Sequence, residues 1–255
     1  MTDTVDVRLH VWRQGGPGDE GAFVDCSEHA KEVPRDASLL DLLDLVNARR
    51  LDAGLEPFAF DDGCREGECG ACGVMIDGRA HGGAEGTATC ELRVASFREG
   101  AAVHVEPWRA RAFPPVRDLV VDRGALDRIL AAGGHVGVEG GRAPDADALP
   151  VGAERARRAL DAAACTGCGA CVAACPNASA SLFVGAKVAH LAALPQGAPE
   201  RGRRAVAMVA AHDAEGFGAC SDHRECEAAC PKGISVDVIA LLARELLAAT
   251  LGGPG

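Results

Sequence analysis

At 255 residues the chain is long enough for one large or two ordinary domains, and its net charge of −11 excludes the clustered Lys and Arg of a nucleic-acid footprint. Tyrosine is absent and tryptophan occurs twice, so no ring platform for stacking bases can be built. Twelve cysteines would mean a disulfide scaffold in a short secreted chain. Here no basic segment followed by an apolar run opens the sequence, so no secretory signal is expected, and the thiols point to metal instead. The best candidate for a membrane span, residues 239–251, is interrupted by Arg244 and Glu245.

Val5, Val7, Leu9 and Val11 alternate with Asp6, Arg8 and His10, which predicts a half-buried strand. A glycine-rich turn over residues 14–21 leads to a second strand over 22–24. Within the turn, Gly16-Pro-Gly18-Asp-Glu-Gly21 has the spacing of a dinucleotide fingerprint. Asp19 and Glu20 would repel a pyrophosphate and no helix follows, so a hairpin turn is expected. Ser38 suits a helix N-cap, with Leu39, Leu42, Leu43 and Val46 on one face and Asp41 near the positive end of the dipole. A cysteine-bearing loop follows and runs into residues 74–76. Asp77-Gly78 marks a hairpin turn, and residues 102–105 form another strand. Strand, strand, helix, cysteine loop, strands: this order predicts a β-grasp sheet.

The loop reads Cys64-Arg-Glu-Gly-Glu-Cys69-Gly-Ala-Cys72, with a distant fourth thiol at Cys90. C-x4-C-x2-C with a later cysteine is the plant-type [2Fe-2S] pattern. Gly63, Gly67, Gly70 and Gly73 let a tight loop turn its N–H groups toward an anionic cluster without a Cβ clash. Cys26 fits no cluster site and is expected to be a buried structural thiol.

Residues 106–115 read as a linker, and beyond it the periodicity becomes helical. Helices are expected over 118–132, 155–164, 179–194 and 204–213, and a last one after a Ser235 cap through Val238, Ile239, Leu242 and Leu246. Residues 133–152, rich in Gly, Pro, Asp and Ala, are expected to form a surface loop.

The second half is organised around Cys165-Thr-Gly-Cys168-Gly-Ala-Cys171-Val-Ala-Ala-Cys175-Pro176. In C-x2-C-x2-C-x3-C-P the first three thiols wrap one cluster and the fourth ligates a second. The motif therefore calls for a second group of cysteines, and Cys220-x5-Cys226-x3-Cys230-Pro231 supplies it. Pairing the runs puts Cys165, Cys168, Cys171 and Cys230 on a [4Fe-4S] cluster, and leaves Cys175, Cys220 and Cys226 for the other. The runs form an imperfect repeat in which His223 stands where Cys168 does. A corner with three thiolates suits a [3Fe-4S] cluster; a [4Fe-4S] cluster with His223 as its fourth ligand is the alternative. A pair of zinc sites would usually show C-x2-C pairs separated by a long spacer, which this spacing lacks.

These three motif sets, in this order, resemble the iron–sulfur subunit of succinate dehydrogenase and fumarate reductase. The runs Cys64 to Cys72, Cys175-Pro-Asn-Ala-Ser-Ala180 and Phe183-Val-Gly-Ala-Lys-Val188 carry the resemblance over nearly the whole chain. It implies an α+β chain: a plant-type [2Fe-2S] ferredoxin domain over 1–108 and an all-helical, bacterial-ferredoxin-like domain over 109–255. It also implies partners, namely a flavoprotein that holds FAD and oxidises succinate, and a membrane anchor with quinone and haem b. Electrons would pass singly from flavin through [2Fe-2S], [4Fe-4S] and [3Fe-4S] to quinone or haem. The chain would sit peripherally on the cytoplasmic side of a bacterial cell membrane, held by the anchor. Three features depart from better-known members: seventeen residues between Cys72 and Cys90, no Trp in Asn177-Ala-Ser-Ala-Ser181, and Ser221 where a His usually follows the first cysteine of the second run. They resemble the branch that pairs with a dihaem cytochrome b and uses menaquinone. Of the eight histidines only His223 stands at a chemical position; most of the others are expected to pack or to face solvent, and for His190 a surface position is the default reading against an approach to the anchor.

Overall fold

The computed structural model of the chain describes residues 3–137, 145–147 and 151–251. β1 (Thr4–Val5) pairs antiparallel with β4 (Val33–Pro34), and β2 spans Arg8–Arg13. The one strand expected from Val5 to Val11 is thus split. The break falls where the Asp6 carboxylate accepts hydrogen bonds from the Glu32 N–H and from Lys31. β3 (Ala22–Asp25) pairs antiparallel with β2, and β7 (Ala102–Glu106) pairs parallel with it. β5 (Met75–Ile76) joins β7, and β6 (Arg79–Ala80) closes the order β3-β2-β7-β5-β6. Between β5 and β6, Asp77 and Gly78 both have positive φ, 49° and 74°, as a two-residue hairpin with the twist of its strands requires.

α1 (Leu39–Asp52) begins at the expected cap. Ser38 Oγ accepts from the Asp41 N–H, and the Asp41 carboxylate accepts from the Ser38 N–H, a reciprocal capping box. Leu39, Leu42, Leu43 and Val46 are buried against Leu9, Val11, Val103 and Val105 of the sheet, which makes one apolar core.

The second half begins with a hairpin, β8 (Pro115–Arg117) and β9 (Val120–Val121), and continues with α2 (Gly124–Gly133). The helix expected from residue 118 therefore starts only at Gly124. The reason is Asp118, which has φ 48° and no solvent exposure. Its carboxylate accepts from Gln14 N, Ala59 N and Arg13, all in the first half. The segment expected as a linker is no free tether either, since Trp108, Ala110 and Phe113 are buried in the second core. Of the expected surface loop, 135–137 and 145–147 are exposed, and 138–144 and 148–150 lie outside the described residues.

α3 (Ala153–Ala163), α4 (Ala170–Ala174), α5 (Ser181–Ala193), α6 (Arg201–Ala214), α7 (Glu225–Ala228) and α8 (Asp237–Leu251) follow. α5 is apolar nearly all round, so it is the central helix, packed against α3, α6 and α8. Gly185 permits the approach of α8, because a Cβ there would stand 2.8 Å from the Val238 carbonyl oxygen. The architecture is a mixed one: sheet with one helix first, helices second.

Candidate iron–sulfur sites

All twelve cysteines are free thiols. Cys26 is wholly buried in the first core and lines none of the gaps that the others line. The remaining eleven line three gaps. Cys64, Cys69, Cys72 and Cys90 line the first. Cys165, Cys168, Cys171 and Cys230 line the second, and Cys175, Cys220 and Cys226 line the third. Among the described residues, no three His, Cys, Asp or Glu side chains converge closely enough to hold a single metal ion. One zinc would need each sulfur at roughly 2.3 Å; these thiols ring wider spaces.

The first gap is built by a loop that curls around its sulfurs, with Arg65, Gly67 and Gly70 at positive φ. The N–H groups of Glu66, Glu68 and Cys69 each lie 3.3 Å from Cys64 Sγ. Gly67 N is 3.2 Å from Cys90 Sγ, and Cys64 N and Ala71 N are 3.3 and 3.4 Å from Cys69 Sγ. The donors at Glu66, Glu68 and Cys69 lower the Cys64 thiol to about 7, whereas burial pushes Cys72 up to about 12. A Cβ on Gly63 would stand 2.7 Å from Cys69 Sγ, so only glycine fits behind that sulfur. Arg65 ties the loop to α1, since its guanidinium reaches Asp44 at 2.7 Å and Asp41 at 3.4 Å besides pairing with Asp62.

The second gap is enclosed by the loop after α3 and the turn before α8. Gly167 and Gly169, at φ 70° and 89°, turn the chain on either side of Cys168. The Cys165 carbonyl accepts from Lys187 Nζ at 2.8 Å, and the Cys168 carbonyl accepts from Trp108 Nε1 at 3.0 Å. Ile234 N lies 3.4 Å from Cys230 Sγ. Burial raises the Cys168 thiol to about 11 and Cys171 well above its ordinary value.

The third gap is more open. Cys175 follows α4, Cys226 sits in α7, and Cys220 is exposed. His223 lines this gap too, between Asp222 and Arg224, both at positive φ. Ser221 Oγ accepts from Asn177 Nδ2 at 2.6 Å, which joins in one contact two of the three features expected to depart from better-known members.

The gaps run in series. Thr166, Cys168 and Pro231 line both the first and the second, and Leu182 lines both the second and the third. His81 also lines the first gap, a position that no spacing rule marks; it was expected to pack or to face solvent. The clue in the sequence was faint: a histidine directly before Gly82-Gly83, where the chain must bend.

Comparison with known proteins matches residues 8–128 to the 2Fe-2S iron-sulfur cluster binding domain and residues 161–234 to the 4Fe-4S dicluster domain. The fumarate reductase iron-sulfur subunit of Mycobacterium tuberculosis is 33% identical over 221 residues, 80% of this chain and 79% of that protein. The chain belongs to the family of succinate dehydrogenase and fumarate reductase iron–sulfur subunits. The succinate dehydrogenase iron-sulfur subunit of Bacillus subtilis is 29% identical over 227 residues, 84% of each protein. In fold, the chain is similar to one in the Mycobacterium smegmatis Sdh1 complex in the apo form, with a TM-score of 0.58 at 20% identity and 99% of both chains covered. The thiol-bearing segments 64–90 and 165–230 fall inside the two matched regions.

Proposed function

We propose that this chain is the electron relay of a succinate:quinone oxidoreductase, with a [2Fe-2S] cluster on Cys64, Cys69, Cys72 and Cys90. A [4Fe-4S] cluster is held by Cys165, Cys168, Cys171 and Cys230, and a [3Fe-4S] cluster by Cys175, Cys220 and Cys226. The observation that carries the reading is the series of three thiol-lined gaps with shared walls. The donor set suits the groups, because soft thiolates with inward N–H groups are what an anionic cluster requires. When bound, the clusters supply reversible one-electron steps between the FAD of a flavoprotein partner and quinone or haem b in a cytochrome b anchor.

The chain's own residues bind, orient and shield. The donors at Glu66, Glu68 and Cys69 favour the Cys64 thiolate and spread its charge into the backbone. Phe183 walls the second gap, while Lys187 places a cation at the Cys165 carbonyl. The sheet-bearing half (1–108) serves as a β-grasp, plant-type ferredoxin domain. The helical half (109–255) serves as the bacterial-ferredoxin-like one. By the family reading, membrane association is assigned to the anchor, on the cytoplasmic side; among the described residues no helix is long and apolar enough to cross a membrane. By resemblance to the branch with a dihaem cytochrome b, Ser221 and the Trp-free segment 177–181 favour menaquinone over ubiquinone at the third-cluster end.

Anaerobic iron and sulfide analysis, with EPR of oxidised and reduced material, tests the assignment. One centre of each type is expected. Absence of an oxidised-state three-iron signal in intact protein would remove the [3Fe-4S] reading. The flavin-free chain is expected to oxidise no succinate, and turnover by it would overturn the division of labour.

A further inference from the structure

We propose that the Nε2–H of His81 donates a hydrogen bond to a sulfur of the [2Fe-2S] cluster and raises that cluster's reduction potential. The inference rests on the ligand set Cys64, Cys69, Cys72 and Cys90 proposed above.

His81 follows β6 and is only 2% exposed. It has φ 57°, a left-handed conformation that a side chain rarely adopts, so the bend that turns it inward is held against a steric cost. The ring has one settled partner. Thr89, next to Cys90, offers its backbone N–H at 3.1 Å and its hydroxyl at 2.7 Å, both to Nδ1. A backbone N–H can only donate, so Nδ1 carries a lone pair. The proton must then reside on Nε2.

Nε2 is buried and meets no hydrogen-bond partner among the described residues. An unpaired buried donor is costly to leave unmet, so such a group in a native fold calls for an acceptor. The ring lines the first gap together with all four thiols of that site. Trp108 stands edge-on to it, with centroids 5.3 Å apart at 84°, and offers only a weak π acceptor. Cluster sulfur is the stronger acceptor, and its negative charge grows on reduction. A donor fixed there stabilises the reduced form more than the oxidised one. The contact also closes a loop of support, since Thr89 orients the ring and its neighbour Cys90 ligates the cluster.

Two measurements on the intact complex decide the matter. The first labels histidine alone with 15N and records pulsed EPR of the reduced [2Fe-2S] centre. One weakly coupled 15N is expected, and none overturns the proposal. The second titrates the potential of that centre in two variants. In His81→Asn the amide oxygen replaces Nδ1 toward Thr89 and the donor at the Nε2 position is lost; in His81→Gln the amide nitrogen replaces Nε2. Asparagine is expected to shift the reduction equilibrium about tenfold toward the oxidised form, about 59 mV for one electron, and glutamine to restore most of it. An unchanged potential in His81→Asn overturns the tuning role. If that variant takes up no cluster, the 15N measurement on the wild type decides alone. A wild-type complex with no [2Fe-2S] signal would instead overturn the ligand set, a separate failure.

Discussion

Glycines set how near the backbone comes to sulfur in the first site. In Gly63→Ala the new methyl would crowd Cys69 Sγ at 2.7 Å, so the variant is expected to lose more than half of the [2Fe-2S] EPR signal per chain. Gly70 has φ 70°, and its Cβ would meet the Cys168 Cα at 3.1 Å. Gly70→Ala is expected to cost about 2–3 kcal/mol, roughly 1–2 of it from the left-handed backbone, read as a lowered denaturant midpoint. His223 tests the third site. If no fourth ligand is offered there, His223→Ala keeps the three-iron signal. His223→Cys then permits a four-iron cluster of lower potential, because the added thiolate brings negative charge. Loss of the signal in the alanine variant would show that imidazole ligates iron.

Among the elements, α1 was legible because everything that makes it is local: a Ser38–Asp41 box, then leucines at helical spacing. Ser38→Ala is expected to destabilise the chain by about 1 kcal/mol in denaturant unfolding. The β8–β9 hairpin was not legible. Asp118 takes part in it through partners as far as 105 residues away, and a local window sees Leu119, Val120 and Val121, which also suit a helix. The thiol groups could be read from spacing because a cluster dictates which cysteines must be near each other. His81 could not, since its role depends on which ring nitrogen Thr89 occupies and on a bend at φ 57°. Spacing rules find ligands; they do not find the donors behind them.

At the scale of the whole molecule, a buried ring and a surface ion pair are two of the contacts that join the halves, beside those of Asp118. Trp108 is 2% exposed and donates to the Cys168 carbonyl, while Lys232 Nζ meets Glu68 Oε1 at 2.6 Å with the glutamate mostly in solvent. The two should differ sharply in weight. Trp108→Phe is expected to cost about 1–3 kcal/mol, because the carbonyl keeps only a longer bond from Arg123 at 3.4 Å. Lys232→Ala is expected to cost less than about 1 kcal/mol, as a screened pair does. Thermal melting of the cluster-loaded chain, compared between the variants, checks the order.

Asp118 bears on how such a chain could be inherited in pieces. A break at residue 108 would strand the Gln14 and Ala59 N–H groups and Arg13 without their carboxylate, whereas a break beyond Val121 would carry it along. A recombination event that transplanted the sheet-bearing half into another gene would therefore survive selection best with the hairpin still attached as its tail. The heritable module is longer than the sheet that gives it its shape.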